Sequence, residues 1–344
     1  MKSKIPEMKI KNYSYTLLFW LLTVQVMAQD AHFSQFYNAP TIFNAAEIGY
    51  RSTGGKYRLN GTHRNFGEGF QTTSLAFDGT LDWQDKSFMG IGGTLIQDKS
   101  PGGGFRTLTL LGGFGLHLAL DRKEKHYLSI GTQVGMVNNQ LRTEKLKFEN
   151  DILGGEAEVF MNTNLFNMDT RFGAIYSYFP SDNIQIKFGV GANHLLSFTN
   201  EFITAYSETK THISLYFDYN QQVGKWNLNP HLINMRQGTF DQTLIGFIGT
   251  RYFQNDKGFS LGVSYRSAKL LSFSNINSDN SVIFITGISV MTGTRFYASY
   301  DQSVSKLNNM SNGVGNIEFG VQYVINSANN RRAVSPDILR NQGN

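Results

Sequence analysis

Seven histidines, His32, His63, His117, His126, His194, His212 and His231, are the first residues to test for chemistry. A metal centre needs ligands at fixed short spacings. No two of these have such a spacing, so each reads as a girdle, lumen or turn residue, and no metal or other cofactor is expected. Gly189-Val190-Gly191 is followed by Ala192-Asn193-His194 and lacks the third glycine of a dinucleotide loop. The Gly90–Gly93 and Gly112–Gly115 runs fail the same test, and no Gly-Lys-Ser/Thr occurs. These glycines read as strand glycines beside large aromatics or at bends of a sheet. A lipid hydrolase built on a barrel would need a serine and a histidine on neighbouring outward positions near the rim. Nothing singles out such a pair, and no enzymatic activity is expected.

A different chemistry is concentrated between Asn138 and Asn167. Arg142, Glu144, Lys145, Lys147, Glu149 and Asp151 stand beside Leu146, Phe148 and Phe160. Ionic groups next to apolar anchors suit contact with a protein, and they equally suit a solvated loop. The partner-binding candidates are Arg142, Lys145, Lys147, Phe148, Glu149 and Phe160.

The elements that must position these groups are strands. Asn316 to Asn326 reads NIEFGVQYVIN, with Ile317, Phe319, Val321, Tyr323 and Ile325 on one face and Glu318, Gly320 and Gln322 on the other. Period-two alternation over this length fits a tilted strand that crosses a bilayer. As the last strand it must pair with the first, because lipid tolerates no open sheet edge. From Lys56 onward similar segments recur, about fourteen in all, an even number as in bacterial barrels. The predicted fold is an all-β transmembrane antiparallel barrel over residues 56–326. The connections Asp82–Ser87, Asp121–His126, Phe179–Asn183, Asn220–Lys225, Asn255–Gly258 and Thr292–Gly293 are short and rich in turn residues. The alternate set, including Gln97–Phe105, Asn138–Asn167, Leu195–Lys210, Ser267–Asn280 and Gln302–Gly315, is mostly long. Short periplasmic turns and long extracellular loops are the outer-membrane arrangement. Trp83, Tyr127, Tyr176, Tyr178, Trp226 and Tyr252, near strand ends, read as interface girdles.

Composition agrees with this class. The chain has 35 Gly, 13% aromatic residues, 6 Pro and no Cys. Its mean hydropathy of -0.28 excludes a helical membrane protein but not a barrel, whose two faces average out. Residues 1–28 read as a signal peptide cleaved after Ala28. Lys2, Lys4, Lys9 and Lys11 against Glu7 give it +3 of the total +5. The remaining +2, with no basic cluster, excludes a nucleic-acid partner. Residues 29–55 show no period and would plug the lumen or lie along the periplasmic rim. Residues 327–344, with Arg331, Arg332 and Arg340, form a polar periplasmic tail, either a disordered end or a docking peptide.

The mature start, Gln29-Asp30-Ala31-His32-Phe33-Ser34-Gln35-Phe36-Tyr37, resembles that of the PorP/SprF family of outer-membrane proteins of the type IX secretion system in Bacteroidetes. Asn44-Ala45-Ala46 stands where that family has Asn-Pro-Ala. Further landmarks follow in order: Arg64-Asn65, Gly90-Ile91-Gly92 with Gln97-Asp98-Lys99, Gly191 to Leu195, Asn229-Pro230-His231, Gly262 to Arg266, Tyr297 to Asp301, and Asn316-Ile317-Glu318. The resemblance implies a multi-pass protein of the cell outer membrane, in contact with its lipid and with other type IX components. It also implies a partner: a large secreted protein, often a gliding adhesin, carrying a C-terminal sorting domain. From the residues alone, a porin whose lumen is lined by Arg58, Arg64 and Glu318 remains the alternative.

Overall fold

Alternation fixes which side of each strand meets lipid and which meets the lumen. The computed structural model describes residues 33–50, 56–65, 69–83, 86–145, 162–197, 208–253, 257–268, 280–291, 293–304 and 315–325. The strands are β1 (Tyr57–Asn65), β2 (Gln71–Asp82), β3 (Phe88–Lys99), β4 (Phe105–Ala119), β5 (His126–Leu141), β6 (Asn164–Ser181) and β7 (Ile184–Asn193). They continue as β8 (His212–Val223), β9 (Trp226–Gln237), β10 (Phe240–Tyr252), β11 (Gly258–Ala268), β12 (Asn280–Met291), β13 (Thr294–Ser303) and β14 (Asn316–Ile325). All pairings are between chain neighbours and antiparallel, and β1 closes on β14 from Tyr57↔Ile325 to Asn65↔Ile317. The barrel is therefore closed with fourteen strands, and no sheet edge faces lipid.

The wall is inverted relative to a water-soluble protein. Leu75, Phe77, Ile91, Leu110, Phe284 and Phe319 are exposed, whereas Arg64, Asp78, His117, Asp169, Asp301 and Glu318 are buried. Exposed apolar residues form the lipid-facing band, and the buried polar ones face the lumen. No helix among the described residues is long and apolar enough to cross a membrane, so crossing is by strands.

Three expectations need correction. First, β5 and β6 remain paired outward to Gln140↔Asn164, so Asn138, Asn139 and Gln140 belong to a strand and the loop itself spans residues 142–163. Ladder hydrogen bonds continue there while side chains at the strand tips stay polar, which erases the alternation. Second, the outer connection between β3 and β4 is only Ser100–Gly104. Third, Trp83 and Trp226 face outward at 46% exposure each, but Tyr127 at 3% and Tyr252 at 8% face the lumen and are not girdle residues.

Residues 33–50 lie inside the barrel. They form two 3₁₀ turns, Phe36–Asn38 and Ala45–Glu47, flanking a one-turn helix α1 (Pro40–Phe43). All of them are buried except Tyr37, which is half-buried. Residues 1–32 and 326–344, which include the signal-peptide and tail readings, lie outside the described residues.

Candidate functional site: the filled lumen

A segment without regular pairing that enters a barrel brings backbone groups that need partners. The wall supplies them. The Ile42 carbonyl accepts from Arg171 Nη1 at 3.3 Å and Asn193 Nδ2 at 3.1 Å, and the Phe43 carbonyl from Ser214 Oγ at 2.6 Å. The Glu47 carbonyl accepts from Arg58 Nη2 at 2.7 Å, and the Gly49 amide donates to Asp78 Oδ2 at 2.7 Å. His117 Nε2 lies 2.9 Å from the Ile48 carbonyl. A carbonyl only accepts, so Nε2 carries the proton and Nδ1 accepts from Ser129 Oγ. The Asn44 side chain donates to the carbonyls of Ala174 and Val190, and its Oδ1 accepts from the Ala46 amide, which caps the second 3₁₀ turn.

The segment also needs room. A Cβ on Gly131 would lie 2.3 Å from the Ala45 carbonyl oxygen, and one on Gly173 would lie 1.8 Å from Asn44 Oδ1 and 2.8 Å from the Ala45 nitrogen. Gly90, Gly115 and Gly191, from the glycine runs noted in the sequence, likewise face the segment. Lumen-facing glycines on β3 to β7 thus let main chain pack against main chain.

The two ends of the segment are held by charge. Near the long-loop ends of β1, β11, β13 and β14, Asp301 Oδ2 accepts from Arg64 Nη2 at 2.9 Å, from Arg266 Nη1 at 3.0 Å and from Ser34 Oγ at 2.5 Å. Glu318 accepts from the amides of Ser34 (2.7 Å) and Gln35 (3.0 Å) and lies 3.9 Å from Arg64 Nη1. Near the short turns, Arg58 pairs with Asp78, Glu47 accepts from Lys187 Nζ at 3.2 Å and the Tyr216 hydroxyl at 2.7 Å, and Tyr50 bonds Ser177 and Gln185. Ser34 and Gln35 therefore sit toward the external end of the lumen, and the segment runs from there to the periplasmic end, where β1 begins. Asp169 accepts from Arg171 Nε at 2.9 Å and His194 Nδ1 at 3.0 Å, and so holds Arg171 toward the Ile42 carbonyl.

Burial alone would raise the Glu47 carboxyl, but the adjacent Lys187 and Arg58 charges and the Tyr216 and Lys187 hydrogen bonds outweigh it and hold it below the ordinary value of 4.5. A depressed folded-state value means that its contribution is complete above the ordinary carboxylate range and is lost as pH falls below it. Hydrogen exchange of residues 44–50 should accelerate in that acid window. Glu47→Gln should show the faster exchange already at pH 7, with a weaker further response to acid.

Between the segment and the short-turn end lies a cavity of about 190 Å³. It is lined by Phe36 and Phe43 of the segment, by Ile248 and Ile285 of the wall, and by carboxamides, tyrosines and charged groups.

The loop candidates are not brought together among the described residues. The Arg142 amide donates to the Gly104 carbonyl at 2.7 Å, Arg142 is half-buried, and Thr143–Lys145 forms a 3₁₀ turn. The Lys145 side chain, Lys147, Phe148, Glu149 and Phe160 lie outside the described residues. Sequence reading missed Asp301, Arg266, Glu47 and Lys187 as partners of the segment. The available signal was charges of both signs at inward strand positions, which a buried lumen must pair. No group of three or more His, Asp or Glu among the described residues is placed to hold a metal.

Comparison with solved structures returns outer-membrane barrels. CymD, a monoaromatic hydrocarbon channel, superposes with a TM-score of 0.50 at 8% identity, covering 82% of this chain and 90% of that chain. The Pseudomonas putida toluene transporter TodX gives 0.50 at 11% identity, covering 88% of this chain and 100% of that chain. At these identities the likeness shows the fold alone. No curated protein matches the chain. The family model for the type IX secretion system membrane protein PorP/SprF matches residues 25–323. With its closed fourteen-strand barrel, the chain belongs to the PorP/SprF family of type IX secretion outer-membrane proteins.

Proposed function

We propose that this protein is a non-enzymatic docking barrel that does not conduct solutes. It binds a large type IX secreted protein through that protein's C-terminal sorting domain and supports its secretion or surface attachment. The observation that supports this reading is that residues 33–50 pack inside the barrel and hydrogen-bond to its wall, in the space a porin leaves open. The binding face is then external, at the end of the barrel where β5, β7, β11 and β13 finish and β6, β8, β12 and β14 begin. The rival reading is the solute channel that the polar inward residues raised in the sequence, and a steady open level in planar bilayers would favour it over docking.

The test is a deletion of residues 142–163 closed by a short Gly-Ser linker, which leaves every paired residue of β5 and β6 in place. One or a few very large surface proteins should move to the culture medium while the barrel stays heat-modifiable on gels. Unchanged surface proteins in this strain would refute the loop assignment, and unchanged secretion in a strain lacking the whole protein would refute the docking reading.

A further inference from the structure

We propose that the periplasmic ends of β9, β10 and β11 bind an anionic phospholipid of the inner leaflet, its phosphate on Arg251, Lys225 and Lys257 and one acyl chain along Gly249. Arg251 points outward from β10 and is exposed. Its guanidinium carbon lies 5.6 Å from the Trp226 ring centroid and 5.8 Å from that of Phe253. Across the ladder Arg251 pairs with Trp226 on β9 and with Phe259 on β11. The two lysines, both exposed, flank it. The Lys225 carbonyl accepts from the Tyr252 amide at 2.8 Å, and the Lys257 carbonyl from the Phe253 amide at 2.6 Å. Neighbouring strands lie about 4.8 Å apart, so the three cations share a stretch of rim about 10 Å wide, the scale of one headgroup.

The patch has an excess of positive charge. Residues 223–226 and 251–259 carry these three cations against one acid, Asp256. No carboxylate among the described residues forms an ion pair with any of the three, whereas Lys86, elsewhere on the same rim, meets Glu124 at 3.5 Å. A guanidinium offers a planar fork that fits a phosphate, and lysines add point charges. The rings set the depth: Trp226, Phe253 and Phe259 are exposed on the lipid-facing side, at the level of an aromatic girdle where headgroups lie. Deeper in the bilayer the outward row of β10 continues as Gly249, paired with Leu228 and Leu261. A Cβ there would meet only Phe247 Cε1 at 3.7 Å and Trp226 Cζ3 at 4.0 Å, so a shallow apolar trough runs inward from Arg251. Headgroup phosphate above and acyl chain below fit this arrangement together. An acidic protein surface would meet the lysines but leave the trough, and a guanidinium set between two bilayer-facing rings, without a counterpart.

The site needs only the bilayer-spanning barrel, so its test is independent of cargo docking and of the loop deletion. With Trp20→Phe and Trp83→Phe, Trp226 is the single tryptophan of the chain. This full-length protein is reconstituted in phosphatidylcholine vesicles holding a minor share of lipid with brominated acyl chains, either phosphatidylglycerol or phosphatidylcholine. Brominated phosphatidylglycerol should quench Trp226 at a roughly tenfold lower mole fraction than brominated phosphatidylcholine. Arg251→Gln should cut that preference roughly fivefold, the scale of one cation at an anionic membrane surface. Adding Lys225→Gln and Lys257→Gln should erase it, with heat-modifiability on gels checking the fold. Equal quenching by the two lipids, or a preference that survives the triple variant, would overturn the proposal. Loss of the preference on adding inorganic phosphate at constant ionic strength would assign the patch to a soluble anion and overturn the lipid.

Discussion

Replacing Gly131 and Gly173 together by leucine should expel the N-terminal segment and turn a closed barrel into a conducting one. At both positions the obstacle is tightly held. The Ala45 carbonyl and nitrogen are main chain, and the Asn44 side chain is fixed by hydrogen bonds to Ala174, Val190 and Ala46. A Cβ at 1.8–2.3 Å is far inside van der Waals contact, and the segment cannot shift away because the same residues are tied to the wall at Ile42, Phe43, Ile48 and Gly49. The barrel should survive. Its lipid-facing surface and strand ladders are untouched, and leucines in an emptied lumen meet water. A barrel of fourteen strands has an interior wide enough for solutes once its contents leave. Single-channel recording should change from a closed trace to a steady open level, and Gly112→Leu, where a Cβ has nothing within 4 Å, should stay closed. A closed double variant would show that the segment tolerates the intrusion and would sink the close-packing account.

The barrel was legible because lipid imposes a rule on every second residue. Ile317 to Ile325 alternates without interruption, and the strand is found there, paired with β1 as closure demands. The rule weakened where lipid stops. Asn138 to Gln140 and Asn164 hydrogen-bond as strand but project past the apolar band, so a polar run looked like loop. The segment 33–50 follows no period because it packs against a curved wall with a different neighbour at each residue. Its position depends on partners more than 100 residues away, such as Glu318 for Ser34 and Lys187 for Glu47, and no local window contains that information. Tyr127 and Tyr252 show the same limit, since an aromatic at a strand end fits both faces and only register decides.

The family landmarks, scattered along the sequence, acquire a common physical meaning. Ser34 and Gln35 of the mature start, Arg64 at the end of β1, Arg266 after Tyr265, Asp301 after Tyr300, and Glu318 two residues into β14 converge on one buried cluster at the external end of the lumen. Two guanidiniums and two carboxylates balance there, which is the condition for charges to persist without water. The resemblance therefore lies in the parts that hold the N-terminal segment in place. The lumen charges that suggested a pore lining act as its clasp.

Asp301→Ala should open that clasp and nothing else. The carboxylate is the shared acceptor of Arg64, Arg266 and the Ser34 hydroxyl, and its loss takes a common counter-charge from two buried cations, of which Arg64 keeps Glu318 at 3.9 Å. Breaking a buried ionic group by removing one partner costs about 3–5 kcal/mol. Localised on residues 33–38, that shifts their open population roughly a hundred- to several-thousandfold. Residues 43–50 are held separately by the glycine contacts and by Ser214, His117, Asp78 and Lys187, so they should stay protected. Hydrogen exchange read by mass spectrometry should show fast exchange in peptides covering 33–39 and unchanged exchange in 43–50. Adding Arg266→Met, which removes one stranded cation, should restore part of the protection. Direction can be read as well, because the chain has no cysteine. Phe33→Cys, buried in the parent, should react with an impermeant maleimide added to whole cells only when Asp301 is replaced. Equal acceleration of both peptides would make the segment a single cooperative unit, and no acceleration in 33–39 would show that the charge cluster does not hold the segment at all.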